Sequence, residues 1–214
     1  MAKLLILGAG GHGKVVADIA LMMNKWEQIV FLDDKEGLKE IGDIPIIGKL
    51  EDYKLYKEKF QFAFVAIGDN GLRLKWVERL AQEGFIIPTL IHPFSSISKL
   101  SKIGAGTVIM SGVVINSDTS IGKGCIINTS SSVDHDCVIA DGVHISPGAH
   151  IGGTVNIGRN TWVCLGSGIV NNVNIGENAV IAAGAVVIGE VPDNALATGI
   201  PAIIKKKFEM IDNE

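Results

Sequence analysis

Three features are scarce in this sequence, and each scarcity narrows the class of protein. Cysteine is the first: Cys125, Cys137 and Cys164 are odd in number and read as reduced packing residues, not as disulfides or a metal set. No apolar run is long enough to span a bilayer, and the first residues lack a secretory signal pattern. Positive charge is also sparse, because the net charge is −4 and only the run 205–207 gathers lysines. We therefore expect a cytoplasmic protein that binds neither nucleic acid nor membrane and holds no metal.

What the sequence has in quantity is a six-residue repeat. From Ile97 to Val187 every sixth residue is Ile or Val, and the residue four positions later is small or β-branched. This period is typical of a triangular parallel β-helix with one short strand on each face and about 18 residues in a coil. The large aliphatic side chains should fill the coil interior. Glycine directly after the aliphatic residue, as at Gly104 and Gly158, is expected to ease the turns.

Residues 1–92 follow a different pattern, in which predicted strands alternate with predicted helices. The expected elements are strands at 3–8, 28–32, 62–67 and 85–91 and helices at 14–23 and 72–82. This alternation predicts an α/β domain with a parallel sheet. Because only about 90 residues are available, it should be half of a Rossmann-type doubly wound fold. Residues 93–214 would then form the β-helix and a C-terminal tail.

A glycine-rich turn joins the first predicted strand to the first predicted helix. Gly8, Gly10 and Gly13 form G-x-G-x-x-G, whose backbone can approach a pyrophosphate at a helix N-terminus. Asp33 lies about 20 residues beyond Gly13, where a carboxylate meets a ribose hydroxyl or a base edge. Gly68 ends a neighbouring strand, so these elements should meet at one edge of the sheet. The pattern predicts a site for a nucleotide diphosphate.

The sequence leaves two candidate ligands for this turn, and a third hypothesis is that the turn binds no ligand. A dinucleotide is the usual ligand of this fingerprint, but a half-fold suits a single nucleotide diphosphate, and no domain for hydride transfer follows. A nucleotide-linked sugar satisfies the same phosphate cradle and is the ligand that we favour. The third reading is a glycine-rich turn that serves close packing alone.

His135 is the strongest candidate for catalysis among the five histidines. It follows the inward residue Val133 by two positions, so its side chain should point outward, where most histidines are ordinary surface residues. Here Asp134 and Asp136 flank it, and carboxylates beside an imidazole fix its tautomer and raise its basicity. This arrangement suits a general base. Gly153 occupies the equivalent position one coil further on, and its backbone N–H is expected to face a developing oxyanion.

The same coil arithmetic places two further pairs on neighbouring coils. It pairs His144 with Trp162 and Leu165 with Ala183, since the members of each pair are separated by three hexapeptides, which is one full coil. Leu165 and Ala183 should stack along one corner of the prism. A groove of small and apolar residues of this kind suits an extended pantetheine arm.

Taken together, these residues resemble a known family. The segments GAGGHG, FLDD and AIGDN and the stretch IINTSSSVDHDCVIADGVHISPGAHIGG are similar to those of bacterial nucleotide-sugar acyltransferases with a left-handed β-helix. Among these the UDP-4-amino-sugar N-acetyltransferases of the bacillosamine type are nearest, and perosamine N-acetyltransferases and sialic acid O-acetyltransferases are similar. The resemblance implies the left hand of the helix and a homotrimer with the acyl-CoA site between adjacent prisms.

The resemblance also implies an activity. It is the transfer of acetyl from acetyl-CoA to the amino group of a nucleotide-linked amino sugar, of the UDP-4-amino-4,6-dideoxy type. The alternative is O-acetylation of sialic acid or of another sugar hydroxyl. UDP, GDP and CMP sugars and the length of the acyl chain are not distinguished by the sequence.

Individual residues take roles from the resemblance. His135 matches the general base, Asp136 the acidic neighbour that supports its basicity, and Asn128 a nearby amide. In the family the acidic neighbour is Glu, one methylene longer. The expected acyl-CoA contacts are His144, Leu165 and Ala183. The expected nucleotide-sugar contacts are Gly10, Gly11, His12, Asp33, Asp34 and Gly68, and the family often has Ser at the first of these.

Two rival classes make different demands on the sequence. A metal enzyme like the γ-class carbonic anhydrases, which are also trimeric β-helices, needs histidines stacked on coils, but the equivalent positions one and two coils beyond His135 are Gly153 and Asn171. A nucleotide-sensing or scaffold protein would lack the base, and His135 is present. A trimer is further favoured by apolar residues expected on the outside of the prism: Val108, Val114, Ile126 and Val138.

Overall fold

The computed structural model describes residues 2–207, and the first part of it is the expected α/β unit. The predicted half of a doubly wound fold is confirmed, because β1 (Ala2–Leu7), β2 (Trp26–Leu32) and β5 (Phe62–Val65) form a parallel three-stranded sheet in the order β2-β1-β5. A small antiparallel hairpin of β3 (Glu40–Ile41) and β4 (Ile44–Pro45) follows β2 and precedes β5 in the chain. The elements are β1 Ala2–Leu7, α1 Gly11–Met22, β2 Trp26–Leu32, β3 Glu40–Ile41, β4 Ile44–Pro45, a 3₁₀ turn Leu50–Asp52, α2 Tyr53–Tyr56, β5 Phe62–Val65 and α3 Asn70–Gln82.

The predicted strand at 85–91 is wrong as a single element. Ile86 forms only an isolated bridge with Phe62, whereas Leu90–Ile91 pairs with Val108–Ile109 of the β-helix. Pro88 stands between the two pieces and has no N–H to give to a sheet, which explains the interruption. The β-helix therefore takes up the chain at Leu90.

The hexapeptides form a prism with three faces, and each of the sixteen predicted aliphatic residues ends a two-residue strand. The first face holds Ser96–Ile97, Val114–Ile115, Ser132–Val133, His150–Ile151, Gly168–Ile169 and Val186–Val187. The second face holds Lys102–Ile103, Ser120–Ile121, Val138–Ile139, Asn156–Ile157 and Asn174–Ile175. The third face holds Leu90–Ile91, Val108–Ile109, Ile126–Ile127, His144–Ile145, Trp162–Val163, Val180–Ile181, Ala195–Thr198 and, antiparallel to the last, Ile203–Lys207.

The interior of the prism follows the repeat. Apart from Ile97 and Ile103 in the first coil, all the aliphatic positions are buried, and so are the small positions four residues later from Thr107 onward. The parallel β-helix predicted by the sequence is therefore confirmed. The tail of the predicted second domain, residues 208–214, lies outside the described residues.

The turns of the prism use glycine in a different way from the one expected. Residues with positive φ occur three positions after the aliphatic residue, as at Gly142 (φ +73°) and Asp136 (φ +57°), and not directly after it. Gly104 and Gly158, which do follow directly, have ordinary φ. A Cβ at either position would collide with the backbone of the next coil. These glycines allow close stacking of coils, and the turn itself depends on the later residue.

Three corners join the faces, and we name them by their residues. Corner A runs from the first face to the second and comprises 116–119, 134–137, 152–155 and 170–173. Corner B runs from the second to the third and comprises 104–107, 122–125, 140–143 and 158–161. Corner C runs from the third to the first and comprises 128–131, 146–149, 164–167 and 182–185.

The α/β unit packs on the third face and on corner B. Val108 and Ile126 on that face belong to the same apolar cluster as Val16 and Ile19 of α1, and each of the two is only 1% exposed. They lie on the outside of the prism as predicted, but the chain's own first domain covers them, so they are not available for contact between prisms. Val114 (39% exposed) and Val138 (52% exposed) do face outward, on the other two faces. Within the described residues, no helix is both long and apolar enough to cross a membrane.

Candidate active site

The glycine-rich turn is packed as tightly as a phosphate-binding loop requires. Gly8 has φ +104°, and a Cβ there would lie 2.8 Å from the carbonyl oxygen of Ala66. A Cβ on Gly13 would collide with the carbonyl oxygen of Gly8. Gly10 and Gly11 are exposed, and the space around their Cα atoms is open. The first two contacts fix the loop, while the N-terminus of α1 stays accessible for a diphosphate.

The two aspartates after β2 are engaged with backbone groups. One oxygen of Asp33 accepts a hydrogen bond of 2.6 Å from the N–H of Ala9, and the other accepts one of 2.8 Å from Lys35. Asp34 accepts a hydrogen bond of 3.0 Å from Leu50. Asp33 therefore holds the glycine-rich turn against the end of β2, and both carboxylates stay at the edge of the sheet.

His12 extends from the glycine-rich turn toward the β-helix. Its Nε2 atom is buried and has no hydrogen-bond partner among residues 2–207. Burial, and to a lesser degree Arg73 and His144, lowers the pKa of His12 to about 3. The imidazole is therefore neutral at pH 7, and its buried nitrogen is available to a ligand.

A cleft of about 600 Å³ separates the loop after β5 from the β-helix. Gly68, Asp69, Asn70 and Gly71 form one wall of this cleft. The other wall consists of His144, Asn160, Trp162, Asn178, Ala179 and Val180. The Oδ1 atom of Asn160 is buried and has no hydrogen-bond partner within the described part of the chain. The cleft therefore lies between Gly68, a predicted nucleotide-sugar contact, and His144, a predicted acyl-CoA contact.

His144 is held in one orientation by its neighbours. Its ring stacks on Trp162 with the centroids 5.9 Å apart and the planes at 9°, as the coil spacing predicts. The Nδ2 atom of Asn128 lies 3.2 Å from Nε2, and Oδ1 of that amide accepts a hydrogen bond from Thr129. Nε2 of His144 is therefore the acceptor, and the ring proton is on Nδ1. Burial, and then Arg73, lowers the pKa of His144 to about 4.

His135 lies on corner A with its side chain 52% exposed. Its Nδ1 atom lies 2.7 Å from Oδ2 of Asp136, so the shorter Asp side chain reaches the imidazole. The positive φ of Asp136 turns the carboxylate back onto its neighbour. This hydrogen bond, with smaller contributions from the charges of Asp134 and Asp136, raises the pKa of His135. Because Nδ1–H is donated to the carboxylate, Nε2 carries the lone pair of a base.

Gly153 lies directly beneath the imidazole of His135. A Cβ on Gly153 would be 2.6 Å from Nε2, so only glycine leaves the ring in this position. Its backbone N–H donates a hydrogen bond of 3.2 Å to Oδ1 of Asn171. In this conformation the donor is already in use, and the expected oxyanion contact stays a prediction. The glycine also provides space for the imidazole of His135.

Within one chain the predicted residues fall into separate groups. His135, Asp136 and Gly153 lie on corner A, whereas Asn128 contacts His144 at the third face. Leu165 (59% exposed) and the exposed Ala183 lie on corner C, and Gly184 donates a hydrogen bond of 2.9 Å to the carbonyl of Leu165. The corner column predicted from their spacing is thus present. Within one chain Asn128 contacts His144.

Sequence reasoning missed Arg73, which is the largest fully buried side chain. One pattern could have found it, because Arg73, Trp76, Val77 and Leu80 share the buried face of α3 at helical spacing. A charged residue on an apolar helix face is seldom accidental. Among residues 2–207, no group of three or more His, Cys, Asp or Glu is placed to hold a metal ion.

Comparisons with known proteins identify the class to which this architecture belongs. The family model described as the PglD N-terminal domain matches residues 3–80. GDP-perosamine N-acetyltransferase of Escherichia coli O157:H7 is 32% identical over 167 residues, which cover 76% of this chain and 75% of that protein. UDP-N-acetylbacillosamine N-acetyltransferase of Bacillus subtilis (strain 168) is 38% identical over 117 residues. The match covers 52% of this chain and 52% of that protein, which is about half of each.

A solved structure extends the likeness to the whole fold. The acetyltransferase domain of PglB from Neisseria gonorrhoeae FA1090, in complex with acetyl coenzyme A, has a TM-score of 0.91 and 38% identity, covering 95% of this chain and 98% of that one. An α/β unit with a PglD-type N-terminal domain, followed by a hexapeptide β-helix, thus defines a class of acetyltransferases. The chain belongs to the family of nucleotide amino-sugar N-acetyltransferases. The family predicted from the sequence is confirmed.

We predict that Gly153→Ala lowers the pKa of His135. The new methyl group would push the imidazole away and weaken its hydrogen bond with Asp136, which is the main cause of the raised pKa. An NMR titration of the His135 ring measures this change. Gly168→Ala is the matched control, because a Cβ there meets no atom within 4 Å. An unchanged His135 titration in Gly153→Ala would contradict the packing described above.

Proposed function

We propose that this protein transfers the acetyl group of acetyl-CoA to the amino group of a nucleotide-linked amino sugar, of the UDP-4-amino-4,6-dideoxy type. The observation that carries the proposal is the His135–Asp136 pair, with its 2.7 Å contact between Nδ1 and the carboxylate. It occurs in a chain that shares its fold and sequence with acetyltransferases named for bacillosamine and perosamine sugars. The acetyl-CoA complex of the Neisseria relative supports the choice of donor.

The α/β unit is suited to hold the nucleotide sugar. The open Gly10 and Gly11 at the start of α1 can bind the diphosphate through backbone N–H groups. Asp33 and Asp34 stand at the sheet edge, where the ribose or base of a nucleotide would lie. Gly68 lines the cleft that leads to the β-helix, so the sugar would extend in that direction. The buried Nε2 of His12 would be a further polar contact for it.

The chemistry needs one base and no covalent enzyme intermediate. Nε2 of His135 takes a proton from the amine as its nitrogen forms a bond with the thioester carbon. The C–S bond then breaks, and CoA leaves as the thiolate, which recovers a proton. Cys137 is fully buried and burial raises the pKa of its thiol, so it is poorly suited to act as a nucleophile.

The acyl donor would use the other group of predicted residues. His144 is neutral and fixed, so its ring can contact the thioester or the pantetheine amide without introducing a charge. Leu165 and Ala183 offer an exposed column along which the pantetheine arm can lie. No dinucleotide or metal chemistry is part of this proposal. We expect the protein to act in the cytoplasm, where acetyl-CoA is used.

A homotrimer reconciles the two groups of residues. His135 on corner A and His144 on the third face are directed to different sides of one prism, so one chain does not bring them together. Side-by-side packing of three identical prisms would place corner A of one subunit against the third face of its neighbour. The exposed Val114 and Val138 on the other two faces favour such packing.

We predict that His135→Ala lowers kcat by roughly 10²- to 10⁴-fold, the usual contribution of a general base. The test is a thiol-release assay with acetyl-CoA and a panel of nucleotide amino sugars. His150→Ala is the control, since His150 is an exposed histidine on the first face and not on corner A, and its Nδ1 lies 2.9 Å from the hydroxyl of Ser132. If His135→Ala keeps most of the wild-type kcat, His135 is not the base.

We predict that Asp136→Asn moves the acid limb of the kcat/KM profile to lower pH. The carboxylate stabilises the imidazolium and so raises the pKa of His135; without it the imidazole stays neutral to a lower pH. The weaker base should also give a lower plateau. Asp134→Asn should shift the limb less, because Asp134 contributes only through its charge. A limb that stays in place in Asp136→Asn would show that His135 does not control it.

We predict that mixed trimers recover activity lost in each pure variant. If each site takes His135 from one subunit and His144 from another, co-refolded His135→Ala and His144→Ala chains should regain about a quarter of the wild-type sites. Thiol release by the co-refolded mixture, compared with the two variants refolded separately, measures the recovery. Absence of any recovery in confirmed mixed trimers would place both histidines in one subunit's site.

A further inference from the structure

Arg73 makes an unusual set of contacts for a buried cation. It lies on α3 with 1% of its surface exposed, and all of its hydrogen-bond acceptors among the described residues are carbonyl or amide oxygens. The acceptors are Gly124 O at 2.7 Å from Nε, Ile67 O at 3.1 Å and Gly68 O at 3.0 Å from Nη1, and Asn70 Oδ1 and Gly142 O, both at 2.8 Å from Nη2.

The acceptors belong to two different parts of the molecule. Gly124 and Gly142 lie at the same position of corner B on successive coils. Ile67 and Gly68 lie in the loop after β5, and Asn70 is the first residue of α3, directly after that loop. The guanidinium therefore joins this loop to two coils at once. A lysine could not do the same, because a single ammonium lacks the planar fork of donors.

Asn70 extends the same connection to a third coil. Its Nδ2 donates a hydrogen bond of 2.9 Å to the carbonyl of Asn160, which occupies the position of Gly142 on the next coil of corner B. Asn70 also presents Oδ1 to Arg73, so the two side chains act together. The loop is consequently tied to three successive coils, at the point where Gly68, Asn70 and Asn160 line the cleft.

A second arginine contact crosses between the same two domains, and it differs in character. Arg159 on the β-helix pairs with Glu78 of α3 at 2.9 Å, and their side chains are 48% and 44% exposed. Exposed ion pairs of this kind are worth little, because water and salt screen them. Arg73, by contrast, is shielded from water and binds five acceptors. It is the polar contact best able to fix the loop relative to the prism.

We infer that Arg73 is a positioning residue for acetyl transfer, which sets the Gly68 loop, and with it the sugar, at a fixed distance and angle from the acyl donor on the β-helix. This inference rests on the function proposed above. Because the α/β unit would hold the sugar and the prism would hold the thioester, their alignment depends on how rigidly the two domains are joined. A displacement of the order of 1 Å can cost about 10²-fold in rate.

The test compares Arg73→Met, Arg73→Lys and the control Arg159→Gln in otherwise wild-type protein. Calorimetry with UDP and with CoA measures binding to each half of the site, and saturating assays give kcat. We expect Arg73→Met to keep both affinities within a few-fold and to lose about 10²-fold in kcat. The kcat of Arg73→Lys should lie between those of Arg73→Met and the wild type, and the kcat of Arg159→Gln should equal the wild-type value. Hydrogen exchange should rise in residues 66–72 of Arg73→Met alone.

Each other outcome has a distinct meaning. Folded Arg73→Met with wild-type kcat would overturn the inference, as would parallel loss of UDP binding, CoA binding and thermal stability, since that marks a purely structural role. If wild-type protein turns over no nucleotide amino sugar, the proposed function fails. Hydrogen exchange then still decides the placing of the loop: unchanged exchange at 66–72 in Arg73→Met would overturn it.

Discussion

The stacking of backbone hydrogen bonds between successive coils is the constraint on which the rest of this molecule depends. The first residue of a strand and the residue that follows the strand donate to carbonyls of the next coil, as Val108 does to Cys125 and Met110 to Ile127, and the pattern repeats along the prism. Buried aliphatic side chains fill the space inside. The resulting lattice is rigid, so a side chain on one coil has a fixed neighbour on the next. His144 over Trp162 and His135 over Gly153 are two results of this regularity.

The same lattice explains how the pKa of a surface histidine is raised, as the proposed base requires. The turn of corner A requires a residue with positive φ, and Asp136 occupies that position. In this conformation its carboxylate lies beside the imidazole of the preceding residue, which raises the pKa of His135. The geometry of the turn and the chemistry of the site therefore have one cause. Aspartate is among the residues that tolerate this backbone conformation, which makes the shorter acid compatible with both roles.

The junction between the domains adds what the prism lacks, which is a place for a nucleotide. Helix α3 packs against corner B, where side chains Leu74 and Val77 approach the glycines at 106, 124 and 142. The absence of Cβ atoms along this column lets Arg73 reach two carbonyl oxygens of the prism. A nearby buried cation also contributes to the low pKa values of His12 and His144, so the cleft contains neutral imidazoles.

Much of this structure could be predicted from sequence because the repeat is local and regular. Sixteen aliphatic positions in register determined the strands, the interior and the neighbours on adjacent coils, including the column of Leu165 and Ala183. The glycine-rich turn and the βαβ order likewise depend on short segments. The use of the Gly153 N–H could not be predicted in this way, because it depends on the side-chain rotamer of Asn171 one coil further on.

The sequence by itself determined the two folds, their order and the pairing of His135 with a neighbouring carboxylate, since each of these depends on residues close together in the chain. Only the tertiary structure decided which prism surfaces are covered. Val108 and Val138 occupy equivalent positions in the repeat, yet the first is buried beneath α1 and the second is exposed. It also decided that Arg73 joins the domains and that Asn128 belongs with His144. These outcomes depend on how two separately folded units dock, and a repeat that treats all coils alike carries no information about docking.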